Sequence, residues 1–114
     1  MHSSKDFRET TRRGVRVGRP TLVVHAAHLD DGTRVGFVVA GAVGSAVTRN
    51  RVKRRLRHLA AAHVAEAPAG IGIVVRALPR AATDPAEVPI DFGSAWHEAL
   101  SRLDAPRLTK HRVR

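Results

Sequence analysis

The chain has 114 residues, with 20 Lys and Arg against 10 Asp and Glu, a formal charge of +10 and no cysteine. That length fits one domain, and the cysteine count excludes a disulfide framework, a thiol nucleophile and a thiolate metal site. A basic excess of this size calls for a polyanion, with nucleic acid ahead of an anionic membrane, because no apolar run approaches the roughly 20 residues that span a bilayer.

A hydrophobic content of 43% with 4% aromatics predicts a core of Val, Leu, Ile and Ala. No signal-peptide pattern stands at the start, so the sequence predicts a cytoplasmic protein.

In chain order, Ser3-x-x-Asp6 resembles a capping box, and residues 4–13 suit a short helix ending at Gly14, with Phe7 as its only large apolar residue. GVRVGRP follows as a turn-rich stretch in which Pro20 should precede a strand. Leu22, Val24 and Ala26 then alternate with Val23, His25 and Ala27 in a strand that can be covered on both faces. Asp30-Asp31-Gly32 is a turn signal, and residues 33–40 read as a second strand with Val35, Phe37 and Val39 on one face. These two strands are expected to form a hairpin or to lie side by side, antiparallel.

Ser45 is an N-cap candidate, and after it Val52, Leu56, Leu59 and His63 or Val64 recur at helical spacing until Pro68-Ala69-Gly70. Residues 71–78 form the third predicted strand, and residues 79–89, with three prolines, read as a loop. Asp91 is the expected cap of a last helix whose Phe92, Trp96, Ala99, Leu100 and Leu103 share one face. The order helix, strand, strand, helix, strand, helix predicts a small α+β fold, a two-layer sandwich, over residues 1–105, with a basic and flexible tail at 106–114.

The most informative stretch is TRNRVKRRLRH, residues 48–58, with six cations among the ten residues from Arg49 to His58 and no acid between Ser45 and Val64. On a helix, Val52, Leu56 and Leu59 form the buried seam. Lys53, Arg54 and Arg57 point broadly away from it, with Arg51 and Arg55 on the flank opposite Arg49. Like charges three and four apart repel without a partner, and counterion release on binding phosphates would turn that repulsion into affinity. Geometry alone leaves DNA and RNA open. It also leaves open a structural RNA-binding or ribosome-associated protein.

Residues 43–58, VGSAVTRNRVKRRLRH, resemble the arginine-asparagine-arginine signature of the bacterial ribonuclease P protein subunit. RVGFVV at 34–39, Asp6-Phe7 with Arg12 to Gly14, LVVH at 22–25 and IVVRALP at 73–79 extend the likeness over about residues 5–103. The resemblance implies a mostly antiparallel central sheet, a basic central helix and a left-handed βαβ crossover. It implies a subunit that binds a catalytic RNA and the 5′ leader of precursor transfer RNA, while the RNA removes the leader hydrolytically with divalent metal, usually Mg2+. No protein-bound cofactor and no catalytic side chain are implied.

Carried over by position, Arg49, Asn50, Arg51, Lys53, Arg54, Arg55 and Arg57 would meet the catalytic RNA. Phe7, Arg12, His25, Arg34 and Arg76 would line the leader cleft. The chain departs from the family pattern at Ala40, Gly41 and Ala42, where a serine and lysines are usual, and at Thr11, where a second aromatic is common.

Other readings are weaker. The seven histidines match no zinc spacing, Ser45 has no His/Asp partner in the pattern, and Gly41-x-x-Gly44 is too short for a nucleotide fingerprint. Nothing suggests a DNA-reading helix pair, a membrane partner or an assigned homo-oligomer. Phe92 and Trp96 read as core.

Overall fold

A computed structural model describes residues 14–29 and 32–113, with side chains described as far as Leu103. The expected helix at 4–13, with Phe7, Thr11 and Arg12, lies outside the described residues, as do Asp30 and Asp31 of the expected turn.

Four strands form one sheet: β1 (Val15–Gly18), β2 (Leu22–His28), β3 (Arg34–Val38) and β4 (Ile71–Ala77). Helix α1 (Ala46–His63) connects β3 to β4, a short α2 (Arg80–Thr83) follows β4, and α3 (Val88–Val113) closes the chain. Single 3-10 turns stand at Gly41–Val43, Val64–Glu66 and Pro85–Glu87.

The spatial order is β1-β2-β4-β3. This corrects the expected pairing of β2 with β3: β4 lies between them, antiparallel to β2 (Val24 opposite Val75) and parallel to β3 (Val35 opposite Ile73). The parallel pair follows from the α1 connection, since parallel neighbours need a crossover and a helix supplies it. The hairpin is instead β1–β2, with Val17 opposite Val24.

GVRVGRP was expected to be turn-rich, but four of its residues make edge strand β1 and bury Val17. Glycine weakens a strand locally, and here the ladder with β2 outweighs that preference. The turn is confined to the next residues, where the Arg19 amide donates to the Leu22 carbonyl at 2.8 Å, and Pro20 precedes β2 as expected.

The sheet has two unlike faces. Val17, Leu22, Val24, Ala26, Ile71, Ile73, Val75 and Ala77 point to one side and form the core with Val52, Leu56 and Ala60 of α1 and Phe92, Trp96 and Ala99 of α3. All the helical partners in this cluster lie on that side, which gives the two-layer arrangement. Phe92 and Trp96 are stacked with centroids 5.4 Å apart. The aliphatic core and the core role of both rings therefore agree with the sequence.

The 79–89 stretch is more ordered than a plain loop, holding α2 and a 3-10 turn whose first residue is Pro85. Proline suits that position because its missing N–H would have no helical acceptor there. The last helix begins at Val88, so Asp91 lies within its first turn rather than capping it. The Asp91 carboxylate instead accepts from the Thr21 amide at 3.1 Å and the Thr21 hydroxyl at 2.8 Å, both buried. A long-range pair of donors has captured a residue whose local signal was that of a cap.

Candidate nucleic-acid interface

Helix α1 starts where the sequence places it. Gly44, at φ 152°, turns the chain into the helix, and the Ser45 hydroxyl accepts from the Thr48 amide at 3.3 Å. An added Cβ at Gly44 would meet the Thr48 side chain at 3.0 Å. The seam is Val52, Leu56 and Ala60, spaced by four, with Leu59 half-buried beside it. Burying this stripe fixes the rotation of the helix, and the rotation decides where the cations point.

Asn50, Arg51, Arg54, Arg55 and Arg57 are exposed, and Arg49 and Lys53 are half-buried along one flank. Two guanidinium groups are tied down: Arg49 Nε donates to the Gly44 carbonyl at 3.2 Å, and Arg55 Nη1 to the Pro85 carbonyl at 3.0 Å. Arg51, Lys53, Arg54 and Arg57 have no hydrogen-bond or ion-pair partner among the described residues.

Of the acids whose side chains are described, all but Glu87 are engaged elsewhere. Glu98 binds Arg19 at 2.6 Å and Arg102 at 2.5 Å, Asp84 pairs with Arg80, Glu66 meets His97, and Asp91 holds Thr21. The first turn of α1 contains no acid either, so the positive end of the helix macrodipole adds to the Arg side chains. A field of one sign with no counterion among the described residues is suited to binding phosphate, and Arg can engage it through two donors.

A second group gathers on the sheet face away from the core. Pair register places Arg16, Val23, His25, Val74, Arg76, Arg34 and Val38 on that face, since His25 stands opposite both Arg16 and Val74, and Arg76 opposite Val23 and Val38. The expected leader residues His25, Arg34 and Arg76 are thus brought to one surface. Arg76 is exposed, Arg34 half-buried, and His25 only 7% exposed.

Burial pushes the His25 imidazole below the ordinary histidine range, and the positive charges of Arg76 and then Arg16 push in the same direction. Arg16 is the residue sequence reasoning missed. The signal was the Val-Arg-Val alternation at 15–17, hidden by the flanking glycines. His58 is exposed, whereas His63 is half-buried against Phe92 and Trp96, with its ring centroid 5.4 and 5.9 Å from theirs. Among the described residues no three His, Asp or Glu side chains converge to hold a metal, and no helix is long and apolar enough to cross a membrane.

A basic helix between parallel strands, set beside a cationic sheet face, can be compared with known families. The ribonuclease P family model, described as "Ribonuclease P", matches residues 1–100. The chain belongs to the ribonuclease P protein family.

The ribonuclease P protein component of Kocuria rhizophila is 52% identical over 105 residues, covering 90% of this chain and 92% of that relative. That of a Nocardioides species is 57% identical over 86 residues, covering 72% and 74%. Among solved structures, the ribonuclease P protein of Staphylococcus aureus superposes with a TM-score of 0.73 at 24% identity, covering 87% of this chain and 86% of that one. The Thermotoga maritima ribonuclease P protein gives 0.70 at 24% identity, covering 90% and 94%. At these identities the two structures speak for the fold, while the relatives and the family model carry the assignment of the ribonuclease P family.

Proposed function

We propose that this ribonuclease P protein binds the catalytic RNA through the outward face of α1, and receives the 5′ leader of precursor transfer RNA along the His25 face of the sheet. The observation that carries the first part is the set of cations Arg51, Lys53, Arg54 and Arg57, without a partner among the described residues, on a helix whose rotation is fixed by Val52, Leu56 and Ala60. Each phosphate neutralised releases counterions, so a fixed cationic face gives affinity without sequence reading. Asn50 adds an amide that both donates and accepts.

The protein is a non-catalytic subunit of an RNA-based endoribonuclease. Hydrolysis of the leader bond is performed by the RNA with divalent metal, Mg2+ in this reading, and among the described residues no group of three His, Asp or Glu side chains converges to hold that ion. What the chain contributes is charge neutralisation and placement of the leader. We place this work in the cytoplasm, with the catalytic RNA and precursor transfer RNA as partners.

The leader surface is supported by Arg16, Arg34 and Arg76 around His25. Guanidinium groups and an imidazole can contact phosphates and stack on unpaired bases without requiring one leader sequence.

The test is reconstitution of the full chain with its cognate catalytic RNA at near-physiological salt and limiting Mg2+, measuring 5′ leader removal. Stimulation is expected, and the R51A/R54A variant should lose most of it while high Mg2+ restores cleavage by the RNA. No stimulation at any protein concentration would refute the reading. R16A/R76A should weaken binding of precursor more than of mature transfer RNA, and equal losses would remove the sheet face from the leader path.

A further inference from the structure

Between the basic helix and the segment after β4 lies an open cleft of about 210 Å³. Its apolar lining is Val52, Ala81, Ala82, Pro85 and Val88, and Arg51 and Arg55 stand along its helical side. We propose that this cleft receives one unstacked nucleotide of the bound catalytic RNA, with the base against the apolar lining and its phosphate on Arg51. The proposal rests on the RNA-binding role of α1 and assigns a pocket within it.

Three observations converge on a nucleotide. The first is size: drug-sized ligands occupy roughly 300–1,000 Å³, so this space suits a single planar ring system rather than a larger molecule. The second is chemistry, because an apolar wall beside a guanidinium matches a base joined to a phosphate, and a guanidinium plane itself stacks on bases.

The third is preorganisation. Arg55 Nη1 donates to the Pro85 carbonyl at 3.0 Å, which ties α1 to the opposite wall and holds the cleft open at a fixed width. Arg51, one turn earlier on the same side of the helix, has no partner among the described residues and remains available to the phosphate. Asp84, the nearest acid in sequence to Pro85, is paired with Arg80. Glu87, beside Val88 in sequence, is exposed and does not line the cleft, so among the described residues the charged side chains lining it are Arg51 and Arg55.

A base-filling variant separates this pocket from the general cationic surface. Ala82 is half-buried in the lining, and A82F would occupy the space while leaving every cation in place. Binding of the full chain to its cognate catalytic RNA is measured across a salt series. Loss of one stacked base predicts an affinity about 5- to 150-fold lower for A82F, with the salt slope unchanged. R51A, in contrast, should reduce the slope by roughly 0.7–0.9.

A folded A82F that binds within twofold of the unaltered protein overturns the proposal. R54A/R57A, which alters only the outward face, tests the parent reading: unchanged affinity there means that α1 is not the RNA surface. Weakened binding by R54A/R57A with no effect of A82F means that the cleft alone is wrong.

Amide NMR shifts of the unaltered full chain provide a test independent of the folding of A82F. A single-stranded oligoribonucleotide should move Arg51, Ala81, Ala82 and Val88 together, and an RNA duplex of equal length should not. Shifts confined to the outward face of α1, or equal shifts at the cleft with the duplex, overturn the proposal.

Discussion

The buried bond set between Asp91 and Thr21 should be a principal anchor of α3 on the sheet, and its strength can be worked from the geometry. Thr21 is fully buried and Asp91 is 7% exposed. The carboxylate accepts from the Thr21 amide at 3.1 Å and the hydroxyl at 2.8 Å, while the Thr21 carbonyl accepts from the Leu78 amide at 2.9 Å. D91A removes the acceptor and leaves two buried donors without partners. At about 1.5–3 kcal/mol for each bond to a charged acceptor, the expected loss is about 3–6 kcal/mol, a large part of the roughly 5–15 kcal/mol that stabilises a domain.

T21V keeps the side-chain volume, removes only the hydroxyl, and should cost about 1.5 kcal/mol. The double variant should lose less than the sum of the two, with a coupling of about 1–2 kcal/mol, because the hydroxyl has no acceptor once the carboxylate is gone. Urea titration followed by Trp96 emission and by far-ultraviolet circular dichroism measures all four proteins. Trp96 is the sole tryptophan and is fully buried, so its emission reports directly on the α3 contact. A D91A loss under about 1 kcal/mol, or a coupling under about 0.3 kcal/mol, would refute the claim that these bonds, rather than apolar packing alone, hold the start of α3.

Three further outcomes are expected. L56A removes a fully buried side chain from the α1 seam and should destabilise the protein by about 2–5 kcal/mol, measured by the same titration. An added Cβ at Gly14 would stand 1.8 Å from the Ala26 carbonyl oxygen, so G14A should cost about 1–3 kcal/mol and lower the thermal midpoint. The His25 pKa is lowered from 6.5, so the fold favours the neutral ring. As pH falls below about 6.5, the unfolded chain takes up the proton first, and stability declines until the lower folded-state pKa is passed. H25Q should flatten that part of the stability profile, and a leader oligoribonucleotide should raise the His25 pKa in an NMR titration by neutralising Arg16 and Arg76. An unchanged or lower value in the complex would remove His25 from the leader surface.

Local chemistry alone makes the basic helix legible. Ser45 is a capping residue by its hydroxyl, Val52 and Leu56 mark a seam by their spacing, and the absence of acids from Ser45 to Val64 leaves the cations unbalanced. The core rings Phe92 and Trp96 and the strands β2 and β4 are equally visible, because alternation and helical periodicity are properties of neighbouring residues. The family resemblance adds the RNA partner, which charge alone cannot choose.

The tertiary structure decides what depends on distant partners. Strand β1 exists because β2 offers it a ladder, and a tetrapeptide set between Gly14 and Arg19-Pro20, with Gly18 as its own last residue, carries little sign of that. The insertion of β4 between β2 and β3 follows from the way α1 spans the sheet, so the apparent hairpin at 22–40 reflects sequence proximity alone. Asp91 has the local signal of a cap, yet Thr21, seventy residues earlier, supplies its donors. Arg16 joins His25 only through strand register. The cleft beside Arg51 and Arg55 likewise arises from two segments that meet only in the fold. Sequence by itself determined which residues are apolar, charged or able to cap, since those are local properties of side chains. Only the tertiary structure determined which of them share a face, since that is set by pairing and packing across long stretches of chain.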